Sequence, residues 1–225
     1  MKIKHYCLFE HLKSDNIEWN ILRDDNSEDS YFIPFDKEGY IESLQRTNFA
    51  YYVHNIVNYC LLNNITKVIS IGAGKCGLEY HLKSKSNLSI IVTDTSESIS
   101  RIKLFNVFDD AFVLDIINSN INININENTL ILLSRIDTEF SDIKFKFLFE
   151  KLENNNCKHI CLIPANLLTF KIIISEFKVF VTGVLKRRKR VFCGYSRTKS
   201  EFIKAWSKYY EIVSYKKNMF FLNKK

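Results

Sequence analysis

The chain has no CxxC pair. Its six cysteines, Cys7, Cys60, Cys76, Cys157, Cys161 and Cys193, are scattered through 225 residues. A disulfide scaffold is shorter and denser in cysteine, so reduced thiols in a cytoplasmic protein are expected. Proline is scarce, with only Pro34 and Pro164. Together with abundant isoleucine, asparagine and lysine, this reads as partly a coding preference and bears on no function. No stretch approaches the roughly 20 uncharged apolar residues of a membrane span. The longest apolar run in the C-terminal half is broken by Lys171, Glu176 and Lys178. Met1-Lys2-Ile3-Lys4-His5 contains no apolar core of a signal peptide.

What remains is ample for one large core: 46% hydrophobic and 14% aromatic residues, with an ordinary 25% charged. The length suits one α/β domain with an additional segment. The first 35 or so residues read as irregular and polar, with acidic residues at Asp24, Asp25, Glu28 and Asp29. Apolar residues at spacings of three and four predict one helix over 39–63. Strands follow at 67–71, 89–93, 110–114, 129–133 and 159–163, separated by helices at 77–85, 97–105 and 141–153. The isoleucine–asparagine alternation of 118–128 has a strand period, but a strong strand follows at once, so a loop or loose helix is expected. A weaker helical region covers 167–180, and a helix at 199–206 has Ser196 or Thr198 as its cap.

Strands alternating with helices imply a parallel sheet covered on both faces. The last two strands, 210–215 and 219–222, are only a few residues apart. Parallel neighbours need a crossover of about a dozen residues, so this pair must be an antiparallel hairpin. The expectation is a Rossmann-like, doubly wound, mostly parallel seven-stranded sheet with a C-terminal antiparallel hairpin and an N-terminal helical cap. Residues 1–38 would form an irregular or cap segment and 39–225 the domain.

The chemistry concentrates in Lys67-Val68-Ile69-Ser70-Ile71-Gly72-Ala73-Gly74-Lys75-Cys76-Gly77-Leu78-Glu79, with Asp94 following 20 residues after Gly74. This is a buried strand, a glycine turn, a helix start, and a second strand ending in a carboxylate. Glycines let the backbone turn sharply and approach a ligand that a Cβ would obstruct. The helix directs its free N–H groups at the same spot, and the carboxylate can accept hydrogen bonds from ribose hydroxyls. Gly72-x-Gly74-x-x-Gly77 with Asp94 matches the dinucleotide fingerprint. The 66 residues ahead of the first strand and the terminal hairpin are unlike a nicotinamide-dependent oxidoreductase.

With those features the sequence resembles the class I S-adenosylmethionine-dependent methyltransferases over roughly residues 39–225. The resemblance rests on Val68 to Gly77, on Ile91-Val92-Thr93-Asp94-Thr95, on Phe112-Val113-Leu114-Asp115-Ile116 and on the final hairpin, with a helix before the first strand. It implies S-adenosylmethionine as cofactor. Gly72, Ala73, Gly74 and Gly77 would line its methionine and ribose side. Asp94 would bind the ribose hydroxyls, with Thr95 beside the adenine and Asp115 and Ile116 at the adenine amino edge. Ser134 would sit near the sulfonium. The departure is Ser70, where the family usually carries the acidic residue that helps position the amino acid end of the cofactor.

Ser134-Arg135-Ile136-Asp137 follows the fourth strand, where ligands collect in open α/β sheets. Asp137 is a candidate base for an acceptor that must lose a proton, and Arg135 a candidate clamp for an anionic acceptor group; a surface salt bridge and helix cap is the competing account. Cys157, His159 and Cys161 share a period of two, but lack a fourth metal ligand and suit core packing; no metal is expected. Lys186-Arg187-Arg188-Lys189-Arg190 supplies five of the charges behind the net +7. It could contact nucleic acid, lipid headgroups or a phosphorylated substrate, although no aromatics interleave it for base stacking. The expected activity is methyl transfer to an oxygen or nitrogen of a small molecule or glycan. The alternatives are an RNA methyltransferase using the basic run, and a non-catalytic Rossmann-like cofactor-binding protein or NAD-dependent oxidoreductase.

Overall fold

In the computed structural model, the described residues are 3–4, 19–26, 31–119, 123–186 and 195–225. Their elements are β1 (Ile3–Lys4), α1 (Trp19–Asp24), α2 (Lys37–Gln45), α3 (Ala50–Leu62), β2 (Lys67–Ile71), α4 (Gly77–Lys85), β3 (Ser89–Asp94), α5 (Ser98–Leu104) and β4 (Asp110–Val113). They continue as β5 (Thr129–Ser134), α6 (Asp142–Asn154), β6 (His159–Ile163), α7 (Phe170–Lys186), β7 (Tyr195–Ser196), α8 (Lys199–Trp206), β8 (Tyr210–Lys216) and β9 (Met219–Lys224). Seven strands form one sheet in the order β4-β3-β2-β5-β6-β9-β8. β2 to β6 pair in parallel, and β9 runs antiparallel to both β6 and β8. The hairpin turns on Lys217 and Asn218, both at positive φ, as a two-residue turn matched to strand twist requires. β1 and β7 make a separate antiparallel pair.

The apolar strands are continuous because helices cover both faces. Alternate residues serve opposite cores. Val68, Ile90, Val92, Leu130, Leu132 and Cys161 pack with α2 to α5. Ile69, Ile71, Ile131, Leu133, Ile160 and Leu162 pack with α6, α8 and the hairpin. The cap of α8 is Thr198, in a capping box with Glu201.

Four expectations change. The helix over 39–63 is two helices, broken at Arg46–Phe49. There the Thr47 hydroxyl donates to the Leu44 carbonyl at 2.6 Å and the Asn48 carboxamide accepts from Ala50 N–H at 3.2 Å. Such side chains compete with the helix ladder, and periodicity does not register the break. The N-terminal region is not wholly irregular, since α1 forms within it. The helical region over 167–180 starts at Phe170 and runs to Lys186, because Leu167 and Leu168 bridge to Arg197 instead. Cys157, His159 and Cys161 do not share a face: Cys157 precedes the strand and lies in the core opposite that of Cys161. The buried His159 ring instead bonds the Tyr59 hydroxyl at 3.0 Å and Asn223 at 2.8 Å. Among the described residues no group of His, Cys, Asp and Glu suits a metal ion. The described part of 118–128 is irregular, as expected, and is tied by Asn126 to Thr129. Of the basic run, Arg187–Arg190 lie outside the described residues.

Candidate active site

The carboxyl ends of β4, β3, β2 and β5 are neighbours in the sheet. This brings Asp115, Asp94, the glycine turn and Ser134–Asp137 to one edge. The turn is held by backbone and carboxylate together. Ala73 N–H donates to the Thr93 carbonyl at 2.9 Å. Gly74 N–H donates to Asp94 Oδ2 at 2.8 Å, and Ser96 N–H to Asp94 Oδ1 at 2.9 Å. Asp94 is buried and clasps the turn to β3. A carboxylate has about four acceptor sites, so two protein donors leave capacity for ribose hydroxyls.

Gly72 and Gly74 lie at φ +67° and +60°, where a Cβ is strained. Their bare faces meet two side chains. A Cβ on Gly72 would stand 2.5 Å from Ile136 Cγ2, and one on Gly74 3.0 Å from Arg23 Nη2. Gly77 serves another purpose. It opens α4, and its Cβ would meet Phe49 at 2.9 Å. The third left-handed position of the turn is Cys76, at φ 62°. Arg135 is also left-handed, at φ 61°. Both break the ordinary rule for residues with a side chain, and both stand at this edge. Such outliers cluster at functional sites.

Three groups at the turn are not marked by any sequence motif. The first is Glu79, in the first turn of α4. Its buried Oε1 accepts from the Ser70 hydroxyl at 2.5 Å. Burial pushes its carboxyl up to about 7, against the pull of the Ser70 hydrogen bond. An acidic group therefore stands beside Ser70, supplied by the adjoining helix. Ser70 and Glu79 are nine residues apart, a spacing that only the strand–turn–helix geometry turns into a contact. The second is Tyr40, whose hydroxyl donates to the Lys75 carbonyl at 3.0 Å and whose ionisation is opposed by burial. The third is Arg23 of α1, 7% exposed, which donates to the Tyr31 carbonyl at 3.2 Å. Its Nε is buried with no partner.

α1 is fastened across this edge. Asn20 Oδ1 accepts from the Ser96 hydroxyl at 2.8 Å and from Glu97 N–H at 2.9 Å, at the start of α5. Asp24 pairs with Arg101, whose guanidinium stacks on Phe35 at 4.2 Å from the ring centre.

Asp115 closes its own turn. Its Oδ1 accepts from Ile117 and Asn118 N–H, and its Oδ2 from the Asn118 carboxamide. Burial raises its carboxyl, but these hydrogen bonds outweigh burial and leave it below the ordinary value. Ile116 is buried beside it, while Thr95 is exposed. Ser134 ends β5 opposite Ile163. Arg135 is exposed, with its N–H on the Ile163 carbonyl at 2.8 Å.

Asp137 is fully buried. Its Oδ1 accepts from Ala165 N–H at 2.8 Å, while Oδ2 has no partner. Burial pushes its carboxyl up to about 6, opposed by the Ala165 hydrogen bond and the charges of Arg197 and Arg135. Arg197 staples the segment from beneath: it donates to the carbonyls of Asp137 and Phe140, pairs with Asp142 at 3.1 Å and stacks on Phe145.

The donor set can be compared with the implied cofactor. A buried cation with an orphaned N–H, two buried carboxylates and a left-handed turn surround the same few residues. They match, in kind, the carboxylate, ammonium and ribose hydroxyls of S-adenosylmethionine.

No protein-family model matches the sequence, and no curated protein matches it. Solved structures do match the fold. Human N-acetylserotonin methyltransferase in complex with SAM superposes with a TM-score of 0.57 at 16% identity, over 84% of this chain and 56% of that one. PigF with SAH superposes with a TM-score of 0.58 at 11% identity, over 94% of this chain and 63% of that one. Magnesium protoporphyrin IX methyltransferase from Synechocystis PCC 6803 with bound SAH gives 0.52 at 10% identity, over 80% and 89%. This chain therefore spans little more than half the length of the human enzyme. Sheet order, antiparallel hairpin and these superpositions agree: the chain carries the fold of the class I S-adenosylmethionine-dependent methyltransferases.

Proposed function

We propose that the chain is an S-adenosylmethionine-dependent methyltransferase that methylates an oxygen or nitrogen of a small molecule or glycan. One observation carries this reading: opposite charges, Arg23 and the carboxyls of Glu79 and Asp94, are gathered at the glycine turn, beside strand ends bearing Asp115 and Asp137. The bound cofactor would supply a methyl group already activated on sulfur. Arg23 would hold its carboxylate and Glu79 its ammonium, with Gly72, Ala73, Gly74 and Gly77 forming the floor. Asp94 would accept from ribose hydroxyls while keeping the turn closed. Thr95, Asp115 and Ile116 would border the adenine, and Ser134 the sulfonium end.

Transfer of an activated methyl asks the protein mainly for orientation and exclusion of water. Ile136, packed on Gly72, narrows the space above the turn. An acceptor hydroxyl or ammonium must also lose a proton. Asp137 is suited to take it: its spare oxygen and its raised pKa make it a base near neutral pH. Arg135 would orient an anionic acceptor group.

Calorimetry with S-adenosylmethionine and with NAD tests the cofactor. Binding of the former, weakened in Asp94→Ala, supports the reading; no binding at millimolar concentration, or binding of NAD instead, overturns it. A transfer screen with labelled cofactor across metabolite, glycan and RNA pools then tests the acceptor. Labelling of the RNA pool alone would move the assignment to an RNA methyltransferase.

A further inference from the structure

Helix α7 presents an apolar stripe to solvent. Phe170, Ile174, Phe177, Val181 and Leu185 recur at spacings of three and four, so they share one face. Phe170, Phe177 and Leu185 are 77%, 66% and 77% exposed, and Ile174 and Val181 are exposed as well. The other described helices of the large sheet turn their apolar residues mainly into one of the two cores. A continuous exposed apolar face of this length marks an interaction surface.

The charge around the stripe says what covers it. Lys171 and Lys178 are exposed on the adjoining face. Lys186 ends the helix, and the sequence runs on into Arg187-Arg188-Lys189-Arg190, which lie outside the described residues and enter here through their charge alone. Residues 170–190 hold seven basic residues against one acidic residue, Glu176, so they contribute +6 of the chain's +7. A second copy of this chain would bring +6 against +6. Nucleic acid would answer the charge and could stack on the phenylalanines, but would leave the aliphatic part of the stripe, Ile174, Val181 and Leu185, in water. An anionic lipid surface answers both, because it offers phosphates to the lysines and arginines and an acyl boundary to the stripe.

We propose that α7 docks the protein on anionic membranes, lying in the bilayer interface with its stripe inserted at the headgroup–acyl boundary and Lys171 and Lys178 on the lipid phosphates. No helix among the described residues is long and apolar enough to cross a membrane; the docking proposed for α7 is peripheral and reversible. α7 begins seven residues after the carboxyl end of β6, at the edge that carries Asp137. Docking therefore sets the candidate active site beside the lipid interface. Docking through α7 requires no bound cofactor.

The test is co-sedimentation of the full chain with phosphatidylcholine vesicles and with phosphatidylserine-rich vesicles. The chain is expected to pellet with the second and to stay in solution with the first. Each basic residue changed to Ser between Lys186 and Arg190 should weaken binding roughly fivefold. Phe170→Ser with Phe177→Ser should weaken it about a hundredfold or more, with an unchanged thermal midpoint because both rings are exposed. In Phe177→Trp, the added emission should shift to the blue with phosphatidylserine-rich vesicles only. Three outcomes overturn the proposal. The chain stays in solution with both vesicles. The Phe177→Trp emission does not move. Or the chain binds an RNA pool or forms a dimer through this helix while ignoring vesicles.

Discussion

Glu79→Gln isolates the buried acid beneath the glycine turn. In the folded chain the Glu79 carboxyl sits at about 7, against an ordinary 4.5, because burial disfavours its charge. A folded pKa above the unfolded one means stability that is complete below the unfolded value and is lost as pH rises through the folded one. The full loss is about 3 kcal/mol for a gap of that size. Between pH 5 and pH 8 the part that changes is about 2.5 kcal/mol. Glutamine is nearly isosteric and its oxygen can still accept from Ser70, so the variant keeps the 2.5 Å contact and sheds the titration. Urea unfolding of both proteins at the two pH values should show near-equal stability at pH 5 and a variant more stable by about 2–3 kcal/mol at pH 8. An offset that does not change with pH would show that Glu79 is ionised throughout and that the reasoning is wrong. The same group links fold to function. If the cofactor ammonium pairs with Glu79, binding at pH 7 should release about half a proton. Calorimetry in buffers of different ionisation enthalpy measures this, and Glu79→Gln should abolish it.

Other perturbations probe the rest of the edge. Asp94→Ala leaves the N–H groups of Gly74 and Ser96 without acceptors and should cost about 2–4 kcal/mol of stability. It should also weaken cofactor binding in calorimetry; unchanged affinity would assign Asp94 to the turn alone. Arg23→Met should weaken S-adenosylmethionine binding by about 10- to 100-fold. Decarboxylated S-adenosylmethionine should bind wild type and variant alike, and a variant that still discriminates the two ligands would refute the carboxylate clamp. Gly72→Ala combines a left-handed φ with a 2.5 Å approach to Ile136 and should destabilise by on the order of 3 kcal/mol in thermal unfolding. Ile136→Ala in that background should recover only the steric part. Methyl transfer should fall on the acid side with a midpoint near 6, the value of Asp137. Asp137→Asn should remove that limb and, by the same sign argument, gain stability at pH 8; an acid limb that survives in Asp137→Asn would refute the proton-accepting role.

The large sheet was legible because its determinants are local. Buried strands bounded by turns, and a hairpin with too short a connection to be parallel, leave few topologies. Asp94, Asp115 and Asp137 were legible because each ends or follows a strand, and strand ends converge at one edge of a parallel sheet. The break at Arg46–Phe49 was not legible, since two short helices burying the same side keep the period of one. The face of Cys157 was misjudged because alternation holds only inside a strand, and Cys157 precedes it.

The residues themselves determined the fold class, the position of the glycine turn and the acids around it, since these follow from periodicity, turn chemistry and chain connectivity. The tertiary structure alone decided how that turn is furnished. Glu79 reaches Ser70 because α4 doubles back on β2, and Arg23 covers Gly74 from a segment 51 residues away whose composition promised nothing. It also decided that α7, read from the sequence only as a weaker helical region, keeps its stripe in water. Both outcomes depend on which surfaces the rest of the chain leaves uncovered, and a sequence pattern records which face is apolar but not what meets it.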